Sequence, residues 1–418
     1  MIEQDLTRLL EEAHAYLSDD RLKRAVIRHC QGLPDDSAAG DLSTHIHPDC
    51  QMLAHSLQHH QDASLAVSQY FNVALQQYHT MRQITSALYP QGLGGLRFLD
   101  FACGYGRLLR FLVHAMPPEQ IWGAEIQPDA VAYVSERFGV HPLHSPAEPE
   151  AFEPQQTFDV IWVASLFSHL PEPLFSRWLQ RLTDLLTPDG ILCFSTHDAV
   201  LLPPDIPMPQ KGILYGQGSE NAELDPAIYG TTYVTEEYVA SCIHSLLGEQ
   251  HPYYRLPRTL AHEQDIYVVS RSADRDLTVL GQFRRGPWGW MDHHSFDDAG
   301  NLHLSGWAAS LDDGALESIE IRLDGELHHC PTGDPRQDVA DAFNDSRLLP
   351  SGWHFNSPLP ANRNDVYVEI TARSTRGETA LVYAGVMHNP NHGGAVSRLL
   401  RRMKSTAYRL KAGAASDR

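Results

Sequence analysis

Apolar residues recur at helical spacing in two stretches before residue 90. Between 1 and 31 they are Leu6, Leu9, Leu10, Ala13 and Leu17; between 51 and 89 they are Leu65, Tyr70, Val73, Ala74, Met81, Ile84 and Leu88. Each stretch therefore predicts a helix with one buried face. Pro34, Asp35, Asp36, Gly40 and Pro48 mark a loop between them. From Leu96 the pattern changes to short apolar runs at 97–101, 121–126, 141–143, 158–163 and 191–196, alternating with amphipathic stretches near 107–115, 129–138 and 174–186. That alternation is the mark of βαβ units and a mainly parallel sheet.

Thr187-Pro188-Asp189-Gly190 reads as a stop and turn before the fifth strand. A proline-rich stretch from Leu201 to Pro209 then opens an insertion reaching about Thr232, a length common in lids. Helix resumes at Thr235-Glu236-Glu237, where a threonine can cap and acids favour the helix start. Runs at 251–256 and 265–270 complete the sheet. Beyond Asp276 the helical pattern disappears. Runs at 302–308, 316–323, 366–372 and 380–384, separated by turns such as Asp312-Asp313-Gly314, predict an antiparallel β-sandwich. The segments are thus a helical cover over 1–90, an α/β domain over 91–275, a β-sandwich over 280–388 and a basic tail over 389–418.

Charge and cysteine content narrow the function. Acidic residues outnumber basic ones by 52 to 32, for a formal charge of −20, and such a field argues against a nucleic-acid partner. The six cysteines are scattered, without the paired spacing of a zinc site, so no metal is expected and a reduced, cytoplasmic setting is. His293-His294 and His328-His329 do not change this, because neighbours on a strand point to opposite faces. The run at 397–411, SRLLRRMKSTAYRLK, departs from the acidic average and predicts peripheral contact with the inner face of a membrane. Nothing in the pattern fixes an oligomeric state.

The chemistry is concentrated in Phe98-Leu99-Asp100-Phe101-Ala102-Cys103-Gly104-Tyr105-Gly106-Arg107, a strand running into a glycine-bearing turn that opens a helix. Glycines there let backbone approach a ligand at the carboxyl edge of a sheet. A dinucleotide site would need a small residue three places after the second glycine, and that place holds Leu109. A phosphate-binding loop would need Gly-Lys-Ser/Thr, which does not follow.

The stretch resembles the first motif of class I S-adenosylmethionine-dependent methyltransferases, D-x-x-x-G-x-G, and the resemblance extends over roughly 95–272. It implies a Rossmann-like α/β fold with S-adenosylmethionine as cofactor. Asp100, Cys103, Gly104, Tyr105 and Gly106 would lie under its methionine part. Glu125, 19 positions after Gly106, stands where the family places an acid that accepts from both ribose hydroxyls, with Ile126 on the adenine. Ala147 takes the place of the family's adenine-contacting aspartate. Ser165 would end the fourth strand beside the transferred methyl, and Tyr70 would lie on the covering helix. His169 and His197, near the ends of the fourth and fifth strands, are candidate general bases, since imidazole titrates near neutrality.

Gly306-Trp307-Ala308, Arg336-Gln337-Asp338-Val339 and Ser351-Gly352-Trp353 resemble a module found beside bacterial surface-polysaccharide enzymes, over about 283–386. This makes a sugar or glycan hydroxyl the expected acceptor. A small metabolite, a protein side chain, or a binding protein without turnover are the alternatives, because fold does not determine substrate.

Overall fold

The computed structural model describes residues 3–30, 42–218, 224–359 and 364–389, so the basic run at 397–411 and its membrane expectation lie outside the described residues. The chain divides into two compact units, 1–285 and 286–418.

The first unit begins with four helices, α1 (Glu3–Leu17), α2 (Asp20–His29), α3 (Gln51–His60) and α4 (Ala63–Leu88). The sequence predicts one helix where α1 and α2 stand and one where α3 and α4 stand. The first pair breaks at Asp19, whose carboxylate accepts from the Arg21 amide at 2.8 Å and caps α2. The second breaks at Gln61, which is left-handed at φ 54°, and restarts under the Asp62 cap. A short polar residue that competes for backbone amides ends a helix even where the apolar period continues across it.

The α/β part follows as β1 (Phe98–Phe101), α5 (Leu109–Ala115), β2 (Ile121–Glu125), α6 (Pro128–Phe138), β3 (His141–His144), β4 (Phe158–Val163), α7 (Glu172–Asp184) and β5 (Leu186–Asp198). After these come β6 (Ile213–Gly216), β7 (Thr231–Val234), α8 (Glu236–Leu247), β8 (Tyr253–Leu260) and β9 (Gln264–Ser270). The strand order is β3-β2-β1-β4-β5, all parallel, with antiparallel β9 and then β8 beyond β5. The order reverses between β1 and β4, and open α/β sheets bind ligands in the crevice outside the strand ends at such a point. Apolar side chains from both strands and helices, among them Leu99, Phe101, Ile161, Phe175, Trp178 and Phe194, fill one face of the sheet.

Thr187-Pro188-Asp189-Gly190 does not separate helix from strand. α7 ends at Asp184, β5 already pairs through Leu186, and the four residues are absorbed as a register irregularity between the Phe158 and Val160 pairs. The insertion after β5 is likewise more ordered than its composition suggests. β6 and β7 form an antiparallel hairpin, and β7 runs parallel to the last two residues of β5, past the point where β4 stops. Thr232 N donates to Ser168 O at 2.7 Å and Thr232 Oγ1 to Leu170 O at 2.6 Å, fastening the hairpin to the segment after β4.

Arg255 on β8 joins three elements, with Nε 2.7 Å from Asp265, one terminal nitrogen 2.7 Å from Glu236 and the other 2.5 Å from Asp198. Asp265 is 1% exposed, and burial pushes its carboxyl above the usual range. Arg255→Met should therefore cost about 3–5 kcal/mol, the penalty of a buried charge left without its partner. Thermal unfolding should show the loss shrinking as pH falls, because a protonated Asp265 no longer needs the guanidinium.

The second unit holds two antiparallel sheets. One orders β10 (Pro287–Phe296), β11 (Leu302–Ser310) and β14 (Gly352–Ser357); the other orders β13 (Glu326–Cys330), β12 (Leu316–Leu323), β15 (Asp365–Ser374) and β16 (Thr379–His388). They face each other through contacts of β10 with β15 and β16, around Leu304, Ile319, Ile321, Val368 and Ile370. One helix, α9 (Gln337–Phe343), lies between β13 and β14 in the chain.

Candidate active site

A cavity opens at the reversal point between β1 and β4. Its lining brings together Tyr70, Asp100, Cys103, Gly104, Tyr105, Glu125, Ile126, Ala147 and Ser165, which stand on five separate stretches of chain. The turn after β1 is shaped for this. Gly104 is left-handed at φ 52°, and no atom lies within 4 Å of where a Cβ would stand, so the backbone borders open space. Ala102 is left-handed at φ 57°, a strain of the kind that collects at ligand sites.

Glu125 ends β2 and is 8% exposed. One of its oxygens accepts from the Gly104 amide at 2.8 Å; the other accepts from Ile126 N at 2.8 Å and Gln127 N at 3.4 Å. A carboxylate has about four acceptor positions, so after these three amides one remains for a ligand hydroxyl. Burial raises its pKa, and the three amides oppose the rise. Asp100 is 2% exposed, and its Oδ2 has no hydrogen-bond partner. Burial, and then the negative charge of Glu125, push its carboxyl up to about 8, against the pull of Arg107.

The other walls come from residues that the sequence does not mark. Cys50, Gln51 and Met52, at the start of α3, line the cavity. The segment before them is held by Arg110, which donates to Ser43 O and His45 O at 3.0 and 3.1 Å. The same guanidinium donates to the Tyr70 hydroxyl at 3.1 Å, which leaves the ring of Tyr70 as its contribution to the wall. Tyr105 stacks on His47 with centroids 4.5 Å apart and donates to Asp129 at the start of α6. Arg107 and Gln77 line the cavity and pair with each other at 3.3 Å. From the insertion come Leu224, Ile228 and Tyr229.

Residues 99–192 match the model of a family described as a methyltransferase domain. The match runs from β1 into β5, so this part of the α/β unit is similar to a methyltransferase domain, for which S-adenosylmethionine would be the methyl donor. No curated protein matches the chain. Similar solved structures include the 1,6-didemethyltoxoflavin N1-methyltransferase of Burkholderia thailandensis, 17% identical over 47% of this chain and 79% of that one, with a TM-score of 0.33. An amino pentose methyltransferase from Micromonospora echinaspora is 16% identical over 48% and 92%, with a TM-score of 0.35. The sugar N-methyltransferase of a Streptoalloteichus species is 15% identical over 47% and 87%, again at 0.35. These alignments are too loose to bear on the acceptor.

The residues around the cavity fit S-adenosylmethionine. The open cradle at Gly104 suits close passage of a ligand along the backbone, the spare acceptor position of Glu125 suits a ribose hydroxyl, and the orphaned oxygen of Asp100 suits a positive group. Gly106 differs from Gly104 in its surroundings. This glycine does not line the cavity; it is left-handed at φ 76°, and a Cβ there would stand 2.4 Å from the Phe138 ring. It lets α6 close on the turn, a packing role that the spacing of two glycines does not distinguish from ligand contact.

Neither candidate base lines the cavity. His169 is buried, its Nδ1 2.6 Å from Gly230 O, and its ring stacks on Tyr229 with centroids 4.5 Å apart. Tyr229 thus stands between His169 and the cavity. The His197 ring lies 6.1 Å from that of His169. Ser165 is left-handed at φ 57°; its amide donates to Ser195 Oγ at 2.7 Å, and its hydroxyl accepts from Gln264 Nε2 at 3.1 Å. Among the described residues no cluster of His, Cys, Asp and Glu could hold a metal ion, and no helix is long and apolar enough to cross a membrane.

Proposed function

We propose that the domain transfers a methyl group to a hydroxyl of a sugar or bacterial glycan. The observation that carries the reading is that Ser165 and Tyr229 both line the cavity, which gives its wall a hydrogen-bonding group and an aromatic ring. A sugar ring matches such a pair, with a C–H face for the aromatic and hydroxyls at its edge.

Bound cofactor supplies a methyl already activated on a sulfonium, so the protein's share is mainly alignment. Glu125 and the Gly104 backbone hold the donor, and the cover residues Cys50 to Met52 exclude water. Ser165, oriented by Gln264, accepts or donates a hydrogen bond to the incoming hydroxyl. His169, held by its Nδ1 contact with Gly230 O and stacked on the lining residue Tyr229, is the imidazole to test as the base.

The test is release of S-adenosylhomocysteine with nucleotide sugars and polysaccharide termini, run beside amines and peptides, with the product weighed for one added methyl. Transfer only to nitrogen acceptors or to protein would sink the hydroxyl reading. His169→Asn keeps a donor for Gly230 O and removes the base. With a hydroxyl acceptor it should lower kcat by about a hundredfold or more at unchanged affinity for S-adenosylhomocysteine. An unchanged kcat would remove His169 from the chemistry.

A further inference from the structure

We propose that Asp100 gives up its proton to solvent as the cofactor's positive charge enters the cavity, so that cofactor affinity rises with pH through neutrality. This rests on the methyltransferase reading and adds a coupling to it.

The argument starts from an unmatched group. Asp100 lines the cavity, is 2% exposed, and has an Oδ2 without any partner. A buried polar atom in that state carries an uncompensated desolvation cost, and a ligand group can remove it. The groups facing Asp100 are the Glu125 carboxylate from β2, the Cys103 thiol from the same turn, and Arg107 from the turn just before α5. Glu125 is itself nearly buried, and Arg107 is turned toward Gln77. Two acids therefore share a low-dielectric space in which one cation is partly engaged elsewhere, and the carboxyl of Asp100 is held protonated up to about pH 8.

A positive ligand reverses the balance. S-adenosylmethionine carries an ammonium and a sulfonium, and S-adenosylhomocysteine carries the ammonium. Either cation close to Oδ2 favours the ionised carboxylate, and the proton passes to buffer. With an unliganded pKa of about 8, roughly nine-tenths of a proton is available for release at pH 7 and about one-tenth at pH 9. The linked affinity should fall about tenfold for each pH unit below 8.

The experiment is calorimetric titration of the full chain with S-adenosylhomocysteine and with S-adenosylmethionine, in buffers of different ionisation enthalpy. At pH 7 the observed heat should vary with buffer ionisation enthalpy with a slope near one proton released. At pH 9 the slope for S-adenosylhomocysteine should fall to about a tenth. Asp100→Asn should bind without release at either pH. If that variant does not fold, the comparison of pH 7 with pH 9 on the wild-type protein decides alone. Binding with no release at pH 7, or release of full size in a folded Asp100→Asn, overturns the proposal and leaves the methyltransferase reading standing. No binding of either compound overturns both.

Discussion

Glu125→Ala should leave the first unit folded and weaken binding of S-adenosylhomocysteine by about ten- to a hundredfold. The carboxylate has two tasks. It fixes the turn by accepting from Gly104 N at 2.8 Å, and it presents its remaining acceptor position to the cavity. A hydrogen bond to a charged group is worth about 1.5–3 kcal/mol, so loss of the one to a ribose hydroxyl costs about one to two powers of ten. Glu125→Gln should lie between, since an amide oxygen can still serve one amide or one hydroxyl. Calorimetry gives the affinity and thermal unfolding gives the stability; an alanine variant that binds within threefold of wild type would refute the ribose assignment.

The second large effect separates the two glycines of the turn. Gly106→Ala should destabilise the protein by about 3 kcal/mol. A left-handed residue with a Cβ costs about 1–2 kcal/mol and a crowded core about 1–3 more, and here the new carbon would meet the Phe138 ring at 2.4 Å. Gly104→Ala has the same backbone penalty but no collision, because its Cβ would enter open cavity. Its stability should fall by the smaller amount and its cofactor affinity by the larger one. If both variants lost stability equally and bound equally well, the distinction between a packing glycine and a cradle glycine would be wrong.

That distinction marks where sequence reading stops. Asp100, Gly104 and Glu125 are legible because their spacing follows from a strand, a tight turn and a second strand, all local features. Gly106 carries the same local signal and a different duty, set by Phe138 thirty-two positions later. Cys50, Gln51 and Met52 leave no trace in the pattern. Their place depends on Arg110, which is fully buried and ties the preceding segment down through backbone carbonyls that any residue could supply. The helix breaks at Asp19 and Gln61 are missed for a similar reason, since the apolar period runs through both while the cap chemistry interrupts it. His169 and His197 stand close together near the ends of the expected strands, yet the ring of Tyr229 between His169 and the cavity comes from an insertion that composition describes as loop.

The β6–β7 hairpin of that insertion is closed at its base, for the Thr235 amide donates to Gly212 O at 2.8 Å. Among the described residues of that loop, Leu224, Ile228 and Tyr229 reach the cavity wall, whereas Gly104 and Glu125 stand on the turn after β1 and at the end of β2. In evolutionary terms these are separate stretches of chain, and the composition of one wall can drift while the turn and the strand end are kept.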